Sequence, residues 1–291
     1  MAGTQYDRTS QDLGNIVNLG HVNVRITDQH LATHYYITGL GLTRDPFLNT
    51  GARLMWVNVG RSQFHLPTGE PDVLRGITGL VVPDRAALLD RLTGVRKHLA
   101  DTKFDFREAN DCVETVCPWG NRINVHAPDE GRFGRIVLGM PYVQFDVRPG
   151  TAAAIARFYR EVLGAPAEVA ANGDGPMATV VLGNNQSLRF RETDAPERPY
   201  DRHHVQIHIA NFSAPYRRLK ELGLISLEMN QYEYRFKDIV DVDTRAVLFT
   251  VEHEVRSQTH PMYGRPLINR NPALSNRDYK PGHETISWAM G

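Results

Sequence analysis

Two stretches of the chain share one pattern, in which alternating apolar and polar residues precede an apolar stripe of helical period. The first runs from His21 to Gly41 and the second from Gln144 to Gly164, so both span a step of twenty residues. The alternation predicts a strand with one covered face, and the stripe predicts an amphipathic helix. Gly164 stands where a helix C-terminus commonly needs positive φ. The matching steps indicate an internal repeat.

A strand, a helix and two or three further strands recur four times along the chain. The four predicted modules cover about 18–67, 75–126, 139–192 and 203–255. One such unit leaves an open sheet edge and a bare concave face, so units have to pair. The predicted fold class is therefore α+β, with four βαβββ modules paired into two cup-shaped, half-open barrels.

The order of the modules predicts domains made of consecutive modules. An N-terminal domain is expected at 18–130 and a C-terminal domain at 138–256, each with two modules, which suits a chain of 291 residues. A polar lead-in is expected at 1–17. The segment 257–291 is rich in Pro, Asn and Arg and shows no period, so we expect a strap on the surface.

Composition removes several classes of function. The 33 basic and 33 acidic residues give a formal net charge of zero, which argues against binding to nucleic acid or to anionic membranes. No apolar run approaches bilayer length, and the polar N-terminus lacks the order of a signal peptide. Cys112 and Cys117 are too few for a disulfide framework, which favours free thiols and a cytoplasmic location. Open cup edges favour a homodimer.

With these four modules the sequence resembles the vicinal oxygen chelate superfamily, which includes glyoxalase I, extradiol dioxygenases and bleomycin-type resistance proteins. The resemblance covers nearly all of 18–255, and four modules in one chain look most like extradiol dioxygenases. It implies a site for a small molecule inside the cup. Because the superfamily contains both enzymes and plain binding proteins, the resemblance alone leaves both functions open.

The resemblance also implies where metal ligands would lie, near the start of a module's first strand and on its last strand. In the C-terminal cup these positions give Gln144, His204 and Glu252, with Thr250 as the alternative on the last strand if the register differs. Alternate residues on adjacent strands share a face, so such side chains can converge on one ion. The family's ions suggest a divalent metal, with Fe(II) as the first expectation and Mn, Ni or Zn after it. A cup that binds no metal is the alternative.

Further residues of these modules are candidates for binding and acid–base chemistry. His204, His208 and Tyr232 are candidate catalytic residues by their position in module four. The candidate substrate-binding residues are Arg189, Gln206 and Thr250.

The N-terminal cup is expected to be degenerate. It offers His21 with Gln63 or His65, then Thr78, and Asn124 or His126, but Thr78 and Asn124 stand at ligand positions and are poor replacements. We therefore expect a metal in the C-terminal cup rather than in this one.

Each candidate ligand also has a purely structural interpretation. Gln144 would hydrogen-bond across the cup wall, and His204 would be an ordinary buried histidine of a strand. Glu252 would pair with Arg191 or Arg245, since a buried carboxylate needs a partner.

The leading hypothesis is a cytoplasmic, metal-dependent enzyme of this superfamily, dioxygenase-like or glyoxalase-like, acting on a small oxygenated and plausibly phenolic molecule. One alternative is a metal-free protein that binds and sequesters a small molecule, as resistance proteins do. Another is metal-free catalysis in the same cup, with His204 as general base and Glu252 orienting it. In all three cases the partner is a small molecule.

Overall fold

The computed structural model of the chain describes residues 6–47, 53–172 and 175–270. The outer parts of the predicted lead-in and strap, 1–5 and 271–291, lie outside the described residues. None of the helices described is both long enough and apolar enough to cross a membrane.

All four predicted modules are present, and each places a helix between its first strand and three further strands. Module one consists of β1 (Ile16–Asn23), α1 (Gln29–Ala32), β2 (Thr43–Arg44), β3 (Leu54–Val59) and β4 (Ser62–Pro67). Module two consists of β5 (Gly76–Val81), α2 (Arg85–Val95), β6 (Asp105–Glu108), β7 (Val113–Val116) and β8 (Arg122–His126). After α3 (Glu130–Phe133), module three consists of β9 (Gly139–Val147), α4 (Ala152–Phe158), β10 (Ala167–Asn172), β11 (Gly175–Leu182) and β12 (Gln186–Glu192). Module four consists of β13 (His204–Ile209), α5 (Ser213–Glu221), β14 (Ile225–Asn230), β15 (Glu233–Val240) and β16 (Val247–Ser257).

The first helices of modules one and three end in the same unusual way, which supports the repeat seen in the sequence. α1 continues into a π-helical segment at Thr33–Gly39, and α4 continues into one at Tyr159–Leu163. Gly164 then adopts the left-handed conformation at φ 68°, as its position predicts. Short 3₁₀ helices also occur at Arg8–Gln11 and Arg96–His98.

The strands form two eight-stranded mixed sheets that do not close. Sheet one has the order β14-β15-β16-β13-β1-β4-β3-β2, and sheet two has the order β10-β11-β12-β9-β5-β8-β7-β6. Sheet one therefore combines the first and fourth modules, and sheet two combines the second and third. The α+β fold class and the four modules are confirmed.

The strand order corrects the expected pairing of consecutive modules. β1 runs antiparallel to β13, and β5 runs antiparallel to β9. All four opening strands have a free edge and similar alternation, so the pattern of one module does not specify which edge it meets. The domain limits 18–130 and 138–256 remain a prediction, but the sheets do not follow them.

A buried glutamine joins the two sheets at their centre. The Oε1 atom of Gln186 accepts a hydrogen bond from the backbone nitrogen of Leu19 at 2.9 Å. Its Nε2 atom donates to Ser62 Oγ and to the carbonyl of Met140, both at 2.9 Å. Because these partners belong to modules one and three, the bonds fix one sheet against the other.

The described part of the tail crosses back to module one. The side chain of Asn269 is buried and makes two hydrogen bonds with the backbone of Gly60, at 3.0 and 3.1 Å. Nearby, Arg265 forms a 2.5 Å ion pair with the buried Asp45. The tail up to residue 270 is thus held on module one by polar contacts with the turn between β3 and β4 and with Asp45, which follows β2.

Replacing Asn269 by alanine is expected to lower the free energy that holds the tail on module one by about 1–3 kcal/mol, because the backbone N–H and carbonyl of Gly60 lose their partner. Limited proteolysis should then cut the tail faster than in the wild type. The control is Gln258→Ala, which removes only an exposed hydrogen bond to Tyr263. Equal cleavage rates in the two variants would contradict the role given to Asn269.

Candidate metal centre

The strand register aligns polar residues on the concave face of sheet one. His21 of β1 lies opposite Gln206 of β13, which in turn lies beside Glu254 of β16. Two residues earlier, at the start of β13, His204 lies beside Glu252. Because residues paired across neighbouring strands share a face, these two rows line the same cup.

Three of these side chains bring their ligand atoms together. The imidazoles of His21 and His204 and the carboxylate of Glu254 place one ligand atom each within 4.8 Å of the other two. The Glu254 Oε2 atom lies 3.9 Å from His21 Nε2 and 3.5 Å from His204 Nε2. All three residues are buried, and neither Nε2 atom has a hydrogen-bond partner among the described residues.

These distances fit a divalent ion. Imidazole nitrogen and carboxylate oxygen bind such ions at roughly 2.0–2.2 Å, so two ligands of one ion lie roughly 3–4 Å apart. The set of two histidines and one carboxylate is the facial triad that suits Fe(II). Two buried imidazole nitrogens without partners also need some ligand, which is an independent reason to expect one here.

The protonation states of the cluster also suit a metal. Burial, followed by the neighbouring His65 and His204, lowers the pKa of His21 well below its usual value, so its ring is neutral. Burial alone would raise the pKa of Glu254, but His204, Arg256 and Arg235 lower it to about 2. A neutral imidazole and an ionised carboxylate are the forms that bind metal.

Glu254 also belongs to an alternating network of two carboxylates and two arginines. Its Oε2 atom lies 2.5 Å from Arg235, and its Oε1 atom lies 2.6 Å from Arg256. Glu233 pairs with both arginines, each at 3.1 Å. The network holds Glu254 in one orientation, but it also places a guanidinium on the carboxylate oxygen that faces the imidazoles.

Stacked rings hold His21 in place. The ring of His65 lies against His21 and, on its other side, against Trp56, with centroids 3.6 Å apart in both cases. Its Nε2 atom lies 3.1 Å from Gln63 Oε1. We interpret His65 as a positioning residue for His21.

A cavity of about 420 Å³ opens beside His21 under the tail. Its wall includes Gln206, His208 and the tail segment 262–267. His208 is buried, and neither of its ring nitrogens has a partner among the described residues. Burial, followed by Arg256 and His260, lowers its pKa to about 3, so the ring is neutral. The tail therefore borders a cavity that reaches one of the three candidate ligands, His21.

Gln144 does not join the cluster, which corrects its placement with His204. Gln144 lies on β9 of sheet two, directly beside Arg189 of β12. Both residues are therefore separated from His204 by the pairing of the modules. His21 takes the place expected for Gln144, and the two residues open equivalent stretches of the internal repeat.

Glu252 lies close to the cluster but makes other contacts. It is half-buried and forms a 2.9 Å ion pair with Arg235, while its carboxylate lies 3.7 Å from His204 Nδ1. Thr250, further back on the same face, donates to Asp238 at 2.7 Å. Glu254, which shares this face two residues later, is the carboxylate that meets the imidazoles. The expected structural partners of Glu252, Arg191 and Arg245, make no described contact with it.

The remaining candidates divide between the cavity and the rim. Gln206 and His208 face the cavity, as described above. Tyr232 lies in the turn before β15, where its ring faces His260 at 6.4 Å, and no described contact links it to the cluster. Thr78 and Asn124 belong to sheet two, so their presence says nothing about the cup that contains His21.

No protein-family model matches the chain, and no curated protein does. Among solved structures, glyoxalase I from Zea mays is similar with a TM-score of 0.57 and 14% identity, over 87% of this chain and 96% of that one. The 2,3-dioxygenase LapB from Pseudomonas sp. KL28 matches at 14% identity over 91% of this chain and 97% of that one, with a low TM-score of 0.32. A similarity at so low a sequence identity shows only a shared fold. The chain has the fold of glyoxalase I.

Proposed function

We propose that the chain is a metal-dependent enzyme that acts on a small oxygenated molecule in the cup of sheet one. The observation that carries the proposal is the convergence of His21, His204 and Glu254, in which the Nε2 atoms of both imidazoles are buried and have no hydrogen-bond partner in the part of the chain that the structure describes. The expected ion is Fe(II), because two histidines and one carboxylate are its common protein ligands.

The roles of the chain's own residues follow from their positions. His21, His204 and Glu254 would hold the ion. When bound, the ion would supply Lewis-acid chemistry to two neighbouring oxygens of the substrate, and Fe(II) would add the capacity to activate dioxygen. Gln206 has an Nε2 donor without a partner at the cavity wall, where it would orient an oxygen of the substrate.

His208 is the candidate for moving a proton. Its neutral ring lies on the cavity wall two positions beyond Gln206 on the same strand face, with both nitrogens free to donate or accept. The tail segment 262–267 would cover one side of this space. A cavity of about 420 Å³ suits a small substrate, since ligand pockets commonly measure ~300–1,000 Å³.

One observation favours metal-free binding as a second candidate function. Arg235 lies 2.5 Å from Glu254 Oε2, so a guanidinium already neutralises the oxygen that would face the ion. Metal-free catalysis with His204 as base has less support, because the 3.7 Å between His204 and Glu252 exceeds hydrogen-bond length.

Metal content distinguishes these functions. A surface pair of histidines, His30 and His34, has Nε2 atoms 3.2 Å apart and would also chelate divalent ions. The measurement is therefore made on a His34→Ala background without an affinity tag. Anaerobic loading with Fe(II), followed by desalting and elemental analysis, is expected to give one ion per chain, and His204→Ala is expected to remove it.

The matched control is Gln144→Ala, which alters the corresponding strand of sheet two and is expected to keep the ion. A background protein that retains no stoichiometric Fe(II), Mn, Ni or Zn would overturn the enzyme proposal. Shifts in melting temperature on adding phenolic ligands in EDTA would then favour the metal-free binder.

A further inference from the structure

The concave face of sheet two carries an arginine without an acidic partner. The half-buried Arg189 of β12 donates from Nε to Ser187 Oγ at 3.2 Å, and no described carboxylate lies within ion-pair distance of it. Two other arginines of this sheet do have an acidic partner, because Arg191 and Arg122 both pair with Asp146, at 2.8 and 2.6 Å. The uncompensated positive charge on this face therefore belongs to Arg189.

The guanidinium of Arg189 is held in a fixed place. It lies over the ring of the buried Tyr142, 4.0 Å from the centroid. The hydroxyl of Tyr142 in turn lies 2.9 Å from His126 Nε2, and Gly79 leaves space for the ring. Burial lowers the pKa of Arg189, as expected for a cation without a carboxylate beside it. Its two Nη atoms have no hydrogen-bond partner among the described residues.

A cavity on the same face, two strands away from this cation, offers space for the rest of a ligand. It has a volume of about 280 Å³ and includes Ile77, Val116 and Asn124 in its wall. Its wall also includes two carboxylates, Asp105 and Glu114, which are paired with Arg96 and Arg107. Ile77 is the neighbour of Gln144 across β5 and β9, and Gln144 is the neighbour of Arg189. Two strand spacings, roughly 10 Å, therefore separate Ile77 from Arg189. An apolar group on Ile77 and an anionic group on Arg189 can belong to one small molecule.

The guanidinium of Arg189 favours an anionic ligand over a cation on this face. Among the described residues, the one group of three ligands close enough for a metal lies on sheet one. A forked guanidinium held flat on an aromatic ring matches a planar carboxylate through two parallel hydrogen bonds. A bound carboxylate would also offset the cost of burying a lone cation.

We propose that the concave face of sheet two is a second, metal-independent binding site for a small organic carboxylate. The carboxylate oxygens accept hydrogen bonds from the Nη atoms of Arg189, and the apolar body of the ligand lies on Ile77. The two cups of the chain then bind different kinds of ligand.

Calorimetric titration with benzoate in the presence of EDTA tests this site. The wild type is expected to bind benzoate at millimolar concentrations and not its neutral analogue benzamide. Arg189→Gln is expected to lower the affinity for benzoate at least about tenfold, because a charge-assisted hydrogen bond is lost. Arg189→Lys is expected to keep part of it, since the charge remains without the fork.

The matched control is Arg191→Gln. Arg191 lies on the same face of β12 and already pairs with Asp146, so this variant should bind benzoate like the wild type. His204→Ala should also retain benzoate binding, which separates this site from the metal centre. Equal affinities of wild type and Arg189→Gln would overturn the proposal. So would a wild type that binds no benzoate, or one that prefers inorganic phosphate.

Discussion

Replacing His21 by alanine is expected to lower the affinity for a divalent ion by more than about 100-fold, since even residues that only support metal ligands commonly contribute 10–100-fold. The physical reason is that His21 supplies one of three ligand atoms, and no other described side chain is positioned to take its place. Competition for Zn²⁺ with a fluorescent chelator, on the His34→Ala background, measures the change.

The control for this variant is His126→Ala. His126 is a buried strand histidine like His21, but it lies on sheet two and contacts Tyr142. It should leave the affinity for Zn²⁺ unchanged. A comparable loss in both variants would show that His21 acts through stability rather than as a ligand.

The second large effect is expected from Glu254→Ala, which should lower the free energy of unfolding by about 3–5 kcal/mol. Glu254 is nearly inaccessible, and its removal leaves the half-buried Arg235 and Arg256 with Glu233 as their shared partner, while Arg235 also keeps its pair with Glu252. Urea denaturation in EDTA measures the change without any contribution from a bound ion.

Glu252→Ala is the matched control on the same face of the same strand. Glu252 is more exposed and shares Arg235 with two other carboxylates, so its loss should cost only ~0–1 kcal/mol. Equal destabilisation by the two variants would contradict the central place of Glu254 in the network. A change in the denaturant slope would instead indicate an altered unfolded state.

Local elements of the fold were predictable because each is determined by nearby residues. The strand, helix and further strands of each module occur in the predicted order, and Gly164 has the left-handed conformation expected after its helix. Two or three strands were expected after each helix; the edge strand β14 was not predicted individually, since it is exposed along nearly its whole length. β1 begins at Ile16, two residues before the expected start of module one at 18.

The pairing of the modules was not predictable from the same signals. Hydrophobic alternation tells which face of β1 is covered, but it does not tell whether its free edge meets β5 or β13. The contacts that decide this, such as those of Gln186 with Leu19 and Ser62, join residues more than a hundred positions apart.

The candidate site in the structure differs from the predicted ligand set in two of its three residues. The prediction combined His204 with Gln144 and Glu252, whereas His204 lies with His21 and Glu254. Glu254 lies on the same strand and face as Glu252 but two residues later, because the register between β13 and β16 depends on the whole sheet. His21 was assigned to a degenerate cup, although the repeat already made it the counterpart of Gln144.

The nested order of the modules has a consequence for biosynthesis. Modules two and three are neighbours in the chain, so sheet two can assemble while the ribosome is still translating the rest. Sheet one has to wait, since β13, the partner of β1, is translated only after modules two and three. A nascent chain therefore exposes the unpaired edge of β1 while those two modules are made, and chaperones that shield such edges would matter most for this protein at that stage.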